Sequence, residues 1–295
     1  MRWQALMTLP LWAALVLTPV AGADLRDIPT PSDPRWGAVL NDGALTERLI
    51  AESERLLEAG RTPKISELQD QLSRRRCSVP LVPEGRRADQ PAEYAAQQAD
   101  SVLVVGSLYK CPRCSRWHIN AAGGYLISSN GVAVTCRHVI KTTNGVALVA
   151  MTRSGRVYPV RAVLTASEAN DLAVIQLDGT GFTPVAISTN APVGSSIFVL
   201  SHPDQQYYTL TSGLVSRYAR QRHPGGREST LMNITAEFAR GSSGCPVFND
   251  RGAVVGTVVS TQAIYYQSDE HVHDNLQMVL KNCAPSSALL DLLKP

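Results

Sequence analysis

The chain has 295 residues, of which 44% are hydrophobic and 18% charged, and its formal net charge is +3. This composition is typical of a globular chain that can bury a core, and it excludes a disordered or fibrous protein. The small positive charge, with no basic run interleaved with aromatic residues, argues against a nucleic-acid-binding protein.

The first 23 residues have the pattern of a secretory signal peptide. A single Arg2 precedes an apolar stretch from about Leu6 to Val20, and Ala21-Gly22-Ala23 supplies the small residues of a cleavage site. A membrane anchor is the less favoured alternative, because the stretch is short and interrupted by prolines. We therefore expect an exported protein, periplasmic or extracellular, with no stable membrane insertion.

Residues 24–95 are predicted to form a small helical segment and a linker. Apolar residues recur at near-helical spacing from Leu45 to Leu57, and Gly60 is placed to end this helix. Apolar positions from Ile65 to Leu72 predict a second, shorter helix, and the proline-rich stretch that follows indicates a linker. The segment could be a propeptide, a docking arm for a partner or a cap, and the sequence leaves these three readings open.

From Ser101 onward the pattern changes to short strands separated by turns. Val102 to Gly106 is a short apolar run, and the runs Gly124 to Ile127 and Val132 to Thr135 flank an Asn-Gly turn typical of a β-hairpin. Further strands are predicted at Val146 to Met151, Val157 to Val163, Leu172 to Leu177, Ser196 to Leu200, Tyr208 to Val215, Leu231 to Ile234, Ala253 to Ser260 and Gln277 to Leu280. Such a series favours all-β barrels or sandwiches, closed by a C-terminal helix from Ser286 to Leu293.

A serine flanked by glycines is the strongest candidate for a catalytic residue. Ser243 lies in the turn Gly241 to Pro246, where glycine permits a sharp bend and the amides of Gly241 and Ser243 could converge on a developing oxyanion. A serine hydroxyl is a poor nucleophile at neutral pH, so it requires a general base and a group that orients the base. His138 ends one predicted strand and Asp171 begins another, which makes them the candidates for these two roles.

Three segments together resemble the chymotrypsin-like (trypsin-fold) serine proteases, particularly the bacterial trypsin-like peptidases. They are Thr135-Cys136-Arg137-His138-Val139, Asp171-Leu172-Ala173-Val174 and Gly241 to Pro246, and their order along the chain is the chymotrypsin order of His, Asp and Ser. The resemblance implies two packed six-stranded antiparallel β-barrels with the active site in the cleft between them. It covers the chain from about Ser101 onward.

The resulting domain prediction is a signal peptide at residues 1–23, a helical segment and linker at 24–95, and a trypsin-like protease domain at 96–295. The chain ends 52 residues after Ser243 (295 − 243), so we expect no PDZ domain after the protease domain.

The resemblance implies a secreted or periplasmic serine endopeptidase, a hydrolase that cleaves peptide bonds through an acyl-enzyme. Ser243 would attack the scissile carbonyl, His138 would move the proton, and Asp171 would fix the imidazole tautomer. No metal or organic cofactor is implied, and the partner would be an extended polypeptide substrate. Two alternatives stay open: a catalytically silent trypsin-like scaffold that binds proteins, and a metal-stabilised interaction protein.

The residues that would set specificity are candidates by position only. Glu237 lies six residues before Ser243, where the resemblance places the floor of the substrate pocket, so an acidic pocket for Lys or Arg is one hypothesis. Phe238 could instead fill the pocket and favour small apolar side chains, and Ser260 aligns with the strand that pairs with substrate backbone. Ser242 replaces the aspartate with which trypsin-type zymogens capture a new N-terminus, so we expect no activation by that route.

Six cysteines follow the predicted signal peptide, and in an exported protein an even number favours disulfide bonds. They are Cys77, Cys111, Cys114, Cys136, Cys245 and Cys283. Cys111 and Cys114 could form a redox pair, a zinc site with His118 and a fourth ligand such as Cys136 or Cys77, or a disulfide; the disulfide is the default expectation. Cys245 is expected to be structural, with Cys283 as its suggested partner.

The remaining histidines lack a strand-end setting next to a plausible partner, and each is expected to be a surface or loop residue. They are His202, His223, His271 and His273.

Overall fold

The computed structural model of the protein describes residues 32–33, 37–85, 96–268 and 273–294. The predicted signal peptide lies outside these residues. The chain divides into two compact units, Met1–Val39 and Leu40–Pro295. In the first unit the described residues form a two-stranded antiparallel ladder of β1 (Ser32–Asp33) and β2 (Gly37–Ala38). Within the described ranges, no helix has both the length and the apolarity that a bilayer span requires.

The second unit begins with two helices, which confirm the predicted helical segment. Helix α1 spans Asp42–Glu58, and the side chain of Asn41 caps it by accepting a hydrogen bond from the N–H of Ala44 at 3.0 Å. Helix α2 spans Ile65–Asp70 and continues as a 3₁₀ turn, Gln71–Ser73. Gly60 has a φ of +65° two residues after α1 ends, as expected of the residue that turns the chain out of a helix.

Both helices bury leucines in the core of the second unit. Leu49 and Leu56 of α1 share a buried cluster with Val104 and Val149 of the first barrel, and Leu68 of α2 joins a second cluster from the same barrel. The helices therefore complete the core and do not stand apart from it.

Two closed six-stranded antiparallel barrels follow, which confirms the predicted fold. The first barrel has the strand order β3-β4-β5-β8-β7-β6, from β3 (Val102–Lys110), β4 (Trp117–Leu126), β5 (Val132–Cys136), β6 (Ala147–Met151), β7 (Val157–Ser167) and β8 (Leu172–Leu177). The second has the order β10-β11-β14-β13-β12-β9, from β9 (Ser196–Ser201), β10 (Thr209–Arg222), β11 (Glu228–Ile234), β12 (Pro246–Phe248), β13 (Val254–Ser268) and β14 (His273–Pro285). A C-terminal helix, Ser286–Leu292, closes the chain with Leu289 and Leu292 buried.

Several strands are longer than the sequence predicts. The strand predicted from Tyr208 to Val215 runs on to Arg222, and the one predicted from Ala253 to Ser260 runs on to Ser268. These extensions are mostly exposed. They lack the alternation of apolar and polar residues that marks a half-buried strand, so the sequence gives no signal for them.

The barrels meet along a buried surface that fixes the cleft between them. Tyr125 of the first barrel and Phe248 of the second belong to one apolar cluster, and the hydroxyl of Tyr125 lies 2.8 Å from that of Thr257. The backbone N–H of Gly123 in β4 donates to the carbonyl of Ser243 at 2.7 Å. The candidate nucleophile is therefore tied directly to the barrel that carries the candidate base.

Candidate active site

His138 and Asp171 lie in direct contact at one end of the first barrel. Strand β5 ends at Cys136, and His138 follows in a one-turn helix, Arg137–Ile140. The carboxylate of Asp171 accepts from the backbone N–H of His138 at 2.9 Å and contacts the ring Nδ1 at 2.5 Å. Asp171 sits just before β8 with a φ of +51°, a conformation that Asp tolerates better than most residues. The two contacts hold the ring and leave Nε2 free to act as a base.

Ser243 lies in the turn before β12, and its backbone is held at both sides of the residue. Its carbonyl accepts from Gly123, and the N–H of the next residue, Gly244, donates to the carbonyl of Val258 at 2.8 Å. The hydroxyl of Ser243 donates to the carbonyl of Val259 at 3.2 Å. It makes no hydrogen bond to His138, although the two side chains line the same cleft.

The amides of Gly241 and Ser243 are available as donors, since neither N–H has an acceptor within the described part of the chain. The carbonyl of Arg240 accepts from the N–H of Asp204 at 2.7 Å. In a planar trans peptide the N–H points opposite to the C=O, so this bond turns the N–H of Gly241 away from Asp204. Gly241 has a φ of +95°, which favours glycine at this position.

Helix α1 supports the loop that carries Asp204. The carboxylate of Asp42 accepts from the backbone N–H of Tyr207 at 3.0 Å, and the hydroxyls of Thr46 and Tyr207 lie 2.9 Å apart. The N-terminal segment therefore reaches the Gly241 amide through two hydrogen-bonded steps, from Asp42 to the loop and from Asp204 to Arg240. The sequence carries no local signal of this link.

The side chains converge on an open cleft of about 330 Å³. His138, Arg240, Gly241 and Ser243 line it, together with Ser107, Asn120, Ala121, Ala122, Val139, Lys141, Thr142 and Thr143. The cleft therefore combines an oriented imidazole, a serine hydroxyl and unpaired backbone donors, the set that acyl transfer requires.

The predicted specificity residues lie elsewhere. The side chain of Glu237 is 74% exposed and pairs with Lys281 at 2.6 Å, while Phe238 is buried. None of Glu237, Phe238 and Ser260 lines the cleft. Lys281 is only 8% exposed, and its ammonium also donates to the carbonyl of Phe238 at 2.8 Å. Sequence reasoning missed Lys281. Its cation pairs with the carboxylate of Glu237, and the role of Glu237 in an acidic substrate pocket stays a prediction.

His202 lies in the loop after β9, as expected from the sequence, but its side chain is fully buried between the barrels and not at the surface. It follows β9, and its ring Nε2 is 3.1 Å from the carbonyl of Leu103 in the first barrel, while Nδ1 accepts from the N–H of Tyr208 at 3.1 Å. Burial lowers the pKa of His202 to about 4. Its position just after a strand is consistent with a loop residue, and no local pattern in the sequence predicts that its side chain is buried.

The other histidines differ in setting. His223 is partly buried, with Nε2 2.7 Å from the hydroxyl of Ser229. His273 is exposed and stacks on Tyr265. His271 lies outside the described residues.

All six cysteines lie within the described ranges and all are free thiols, so the structure contains none of the expected disulfides, including the pair Cys245 and Cys283. Cys136, Cys245 and Cys283 are fully buried, and burial raises the pKa of each thiol. The physical reason is that these three residues act as small apolar side chains that fill the barrel cores.

The chain is similar in sequence to known proteins. Residues 122–256 match a family model described as a trypsin-like peptidase domain. Curated relatives include a putative serine protease HhoA of Synechocystis sp., 27% identical over 166 residues (54% of this chain and 41% of the relative). A probable periplasmic serine endoprotease DegP-like of Rhizobium meliloti is 32% identical over 137 residues (45% and 26%).

The fold also matches solved structures. An HtrA-type protease AlgW with a tripeptide is 17% identical, with a TM-score of 0.54 over 68% of this chain and 61% of that one. The chain spans less than half the length of the two curated relatives described above. Residues 122–256 are similar to a trypsin-like peptidase domain, and the two-barrel fold is similar to that of an HtrA-type protease.

Proposed function

We propose that the protein is a serine endopeptidase that hydrolyses polypeptides through His138, Asp171 and Ser243. The observation that carries this proposal is the carboxylate of Asp171 bound to both the backbone N–H and the ring Nδ1 of His138, beside a cleft that also contains Ser243. This arrangement fixes the imidazole tautomer that leaves Nε2 as the proton acceptor. Similarity to serine proteases supports the same reaction class.

In the proposed reaction the oxygen of Ser243 bonds to the scissile carbonyl carbon while Nε2 of His138 takes the hydroxyl proton. The carbonyl oxygen becomes an oxyanion, which the amides of Gly241 and Ser243 stabilise by hydrogen bonds. Collapse of this intermediate breaks the C–N bond, and His138 returns the proton to the leaving amine. Water then hydrolyses the acyl-enzyme by the same steps.

The first step requires a small movement of the nucleophile. The hydroxyl of Ser243 is engaged with the carbonyl of Val259, so it must turn toward His138 before it can lose its proton. Catalytic hydrogen bonds are often formed only once substrate is bound. We therefore expect rotation about the Ser243 side chain to accompany substrate binding.

The substrate that fits an open cleft between two barrels is an extended, unfolded segment of polypeptide. The proposed setting is outside the cytoplasm, in the periplasm or beyond, on the basis of the predicted signal peptide at residues 1–23. The domain boundaries and a docking partner for the N-terminal helical segment stay predictions.

A catalytically silent scaffold is the second candidate, and one observation favours it. The hydroxyl of Ser243 bonds to Val259 and not to His138, as it would in a permanently inactive site. The two candidates differ in one measurable property, since only the enzyme cleaves peptide bonds.

Hydrolysis of unfolded casein by the full chain separates them. We expect cleavage by the wild type, a loss of about 10⁵- to 10⁶-fold in kcat for Ser243→Ala, and normal activity for Ser196→Ala, an exposed serine at the start of β9. Activity retained by Ser243→Ala would show that the nucleophile is misassigned. A folded but inactive wild type would favour the scaffold.

A further inference from the structure

The loop between β3 and β4 carries a cluster of metal-ligating side chains outside the candidate active site. It consists of Cys111, Cys114 and His118, whose ligand atoms all lie within 4.8 Å of one another. The Sγ of Cys114 lies 3.1 Å from the Nε2 of His118. All three residues are at least partly exposed, so solvent and small ions can reach them.

The backbone of the hairpin builds this cluster. The N–H of Cys111 donates to the carbonyl of Arg116 at 2.9 Å, and the N–H of Ser115 donates to the carbonyl of Cys111 at 2.9 Å. Ser115 has a φ of +54°, which turns the chain back toward β4. The two hydrogen bonds close the loop and bring the thiols of Cys111 and Cys114 together.

His118 is positioned by the sheet. It pairs with Tyr109 across the β3–β4 ladder, and the two rings stack with centroids 5.6 Å apart and planes 26° apart. The stack fixes the plane of the imidazole while Nε2 faces Cys114. The cluster is therefore preorganised by strand pairing, loop closure and ring stacking.

We propose that Cys111, Cys114 and His118 bind one Zn²⁺ ion, with water in the fourth position. Two thiolates and one imidazole are ligands that zinc prefers over magnesium or calcium, and two cysteines separated by two residues have the spacing of known zinc sites. Binding replaces the two thiol protons, which pass to solvent. The cluster includes neither Cys77 nor Cys136, so the fourth-ligand candidates from the sequence do not complete it.

The site has a consequence for the cleft, because the same hairpin lines it. Ser107 and Asn120 pair across the β3–β4 ladder and both border the cleft. Asn120 lies three residues from Trp117, the residue at the loop end of β4, which is about 10 Å along a strand. A metal at the tip would fasten the end of the hairpin and limit its opening. Zinc binding itself does not depend on the proposed protease function.

The test is metal binding by the full wild-type chain, purified with a thiol reductant and stripped of metal by a chelator. We expect one Zn²⁺ per chain after gel filtration and, with Co²⁺ as the probe, a near-ultraviolet thiolate-to-cobalt charge-transfer band with tetrahedral visible bands. Cys114→Ser should weaken Zn²⁺ binding by at least about 100-fold and remove the charge-transfer intensity of one thiolate. Cys77→Ser, which changes a partly buried thiol outside the cluster, should bind as the wild type does.

A second measurement separates zinc from a disulfide. Zn²⁺ should protect Cys111 and Cys114 from alkylation, as read by mass spectrometry, and should raise the thermal unfolding midpoint of the wild type but not of Cys114→Ser. The proposal is overturned if the reduced wild type binds neither Zn²⁺ nor Co²⁺. It is also overturned if the protein is isolated with a Cys111–Cys114 disulfide that forms again in the presence of Zn²⁺.

Discussion

The buried ring of His202 makes the stability of the protein depend on pH. One ring nitrogen faces the carbonyl of Leu103 and the other accepts from the N–H of Tyr208, so the neutral ring satisfies both neighbours. Protonation would convert the Nδ1 of His202 from an acceptor into a donor, so that two N–H groups, those of His202 and Tyr208, would face each other. Burial is the main cause of the lowered pKa of His202, about 4, because it penalises the charged ring; the hydrogen bonds to the backbone of Leu103 and Ser201 act in the opposite direction.

The size of the effect follows from proton linkage. The unfolded chain binds a proton at this histidine below about pH 6.5, and the folded chain does so only below about 4. Between these values the unfolded state binds more protons, so the free energy of unfolding falls as the pH falls, by about 1.4 kcal/mol per pH unit. The loss amounts to about 3 kcal/mol across the interval. Above pH 6.5 the contribution of His202 is fully present.

Urea unfolding between pH 8 and pH 4 measures this contribution, with Ser243→Ala as the background to prevent self-digestion. We compare it with the same chain carrying His202→Gln, because glutamine keeps a donor and an acceptor but binds no proton. The difference in free energy of unfolding between the two proteins should change by about 3 kcal/mol from pH 6.5 to pH 4. His223→Gln is the control. If the free energies of unfolding of the chains with and without His202→Gln changed in parallel with pH, the reasoning would be refuted.

Three further predictions concern the candidate active site. Gly241→Ala should lose activity by about 10²-fold or more, because the new Cβ would lie 2.5 Å from the carbonyl oxygen of His202 and displace the amide of residue 241. Gly194→Ala is the control, since Gly194 has a similar φ of +90° but open space around it. This control should lose only about 1–2 kcal/mol of stability and keep its activity. Asp42→Ala should lower kcat by about 10-fold, which is less than the effect of losing a whole oxyanion donor. Glu47→Ala, which changes an exposed residue of the same helix, should leave kcat unchanged. Equal effects of the two variants on kcat would refute the link between α1 and the amide of Gly241. Asp171→Asn should keep the fold, as read by circular dichroism, and lower kcat by about 10⁴-fold, and a loss below 10-fold would contradict its role.

The parts of the fold that sequence could predict are those with a local pattern. The barrel strands show apolar runs between Gly and Asn turns, and His138, Asp171 and Ser243 each lie at a strand end or in a tight turn. In the structure, His138 contacts Asp171 and shares a cleft with Ser243. Patterns of this kind come from residues near one another in the chain, so one sequence suffices to read them.

The features that sequence missed depend on contacts between distant residues. His202 is separated from Leu103 by 99 residues and Lys281 from Phe238 by 43, so no local pattern predicts the burial of either side chain. The hydrogen bond from the N–H of Tyr207 to the carboxylate of Asp42 joins two residues that are 165 positions apart in the chain. The free thiols were not predicted for another reason: the disulfide expectation came from the predicted compartment and not from any pattern in the chain.

Covalent labelling with a fluorophosphonate probe tests the central claim most directly. Such a probe reacts with a serine whose hydroxyl is activated by a neighbouring base, and peptide mass spectrometry identifies the modified residue. We expect an adduct on Ser243 in the folded wild-type chain and no adduct in Ser243→Ala or His138→Ala. A folded wild type that carries no adduct, or an adduct on a different serine, would contradict it.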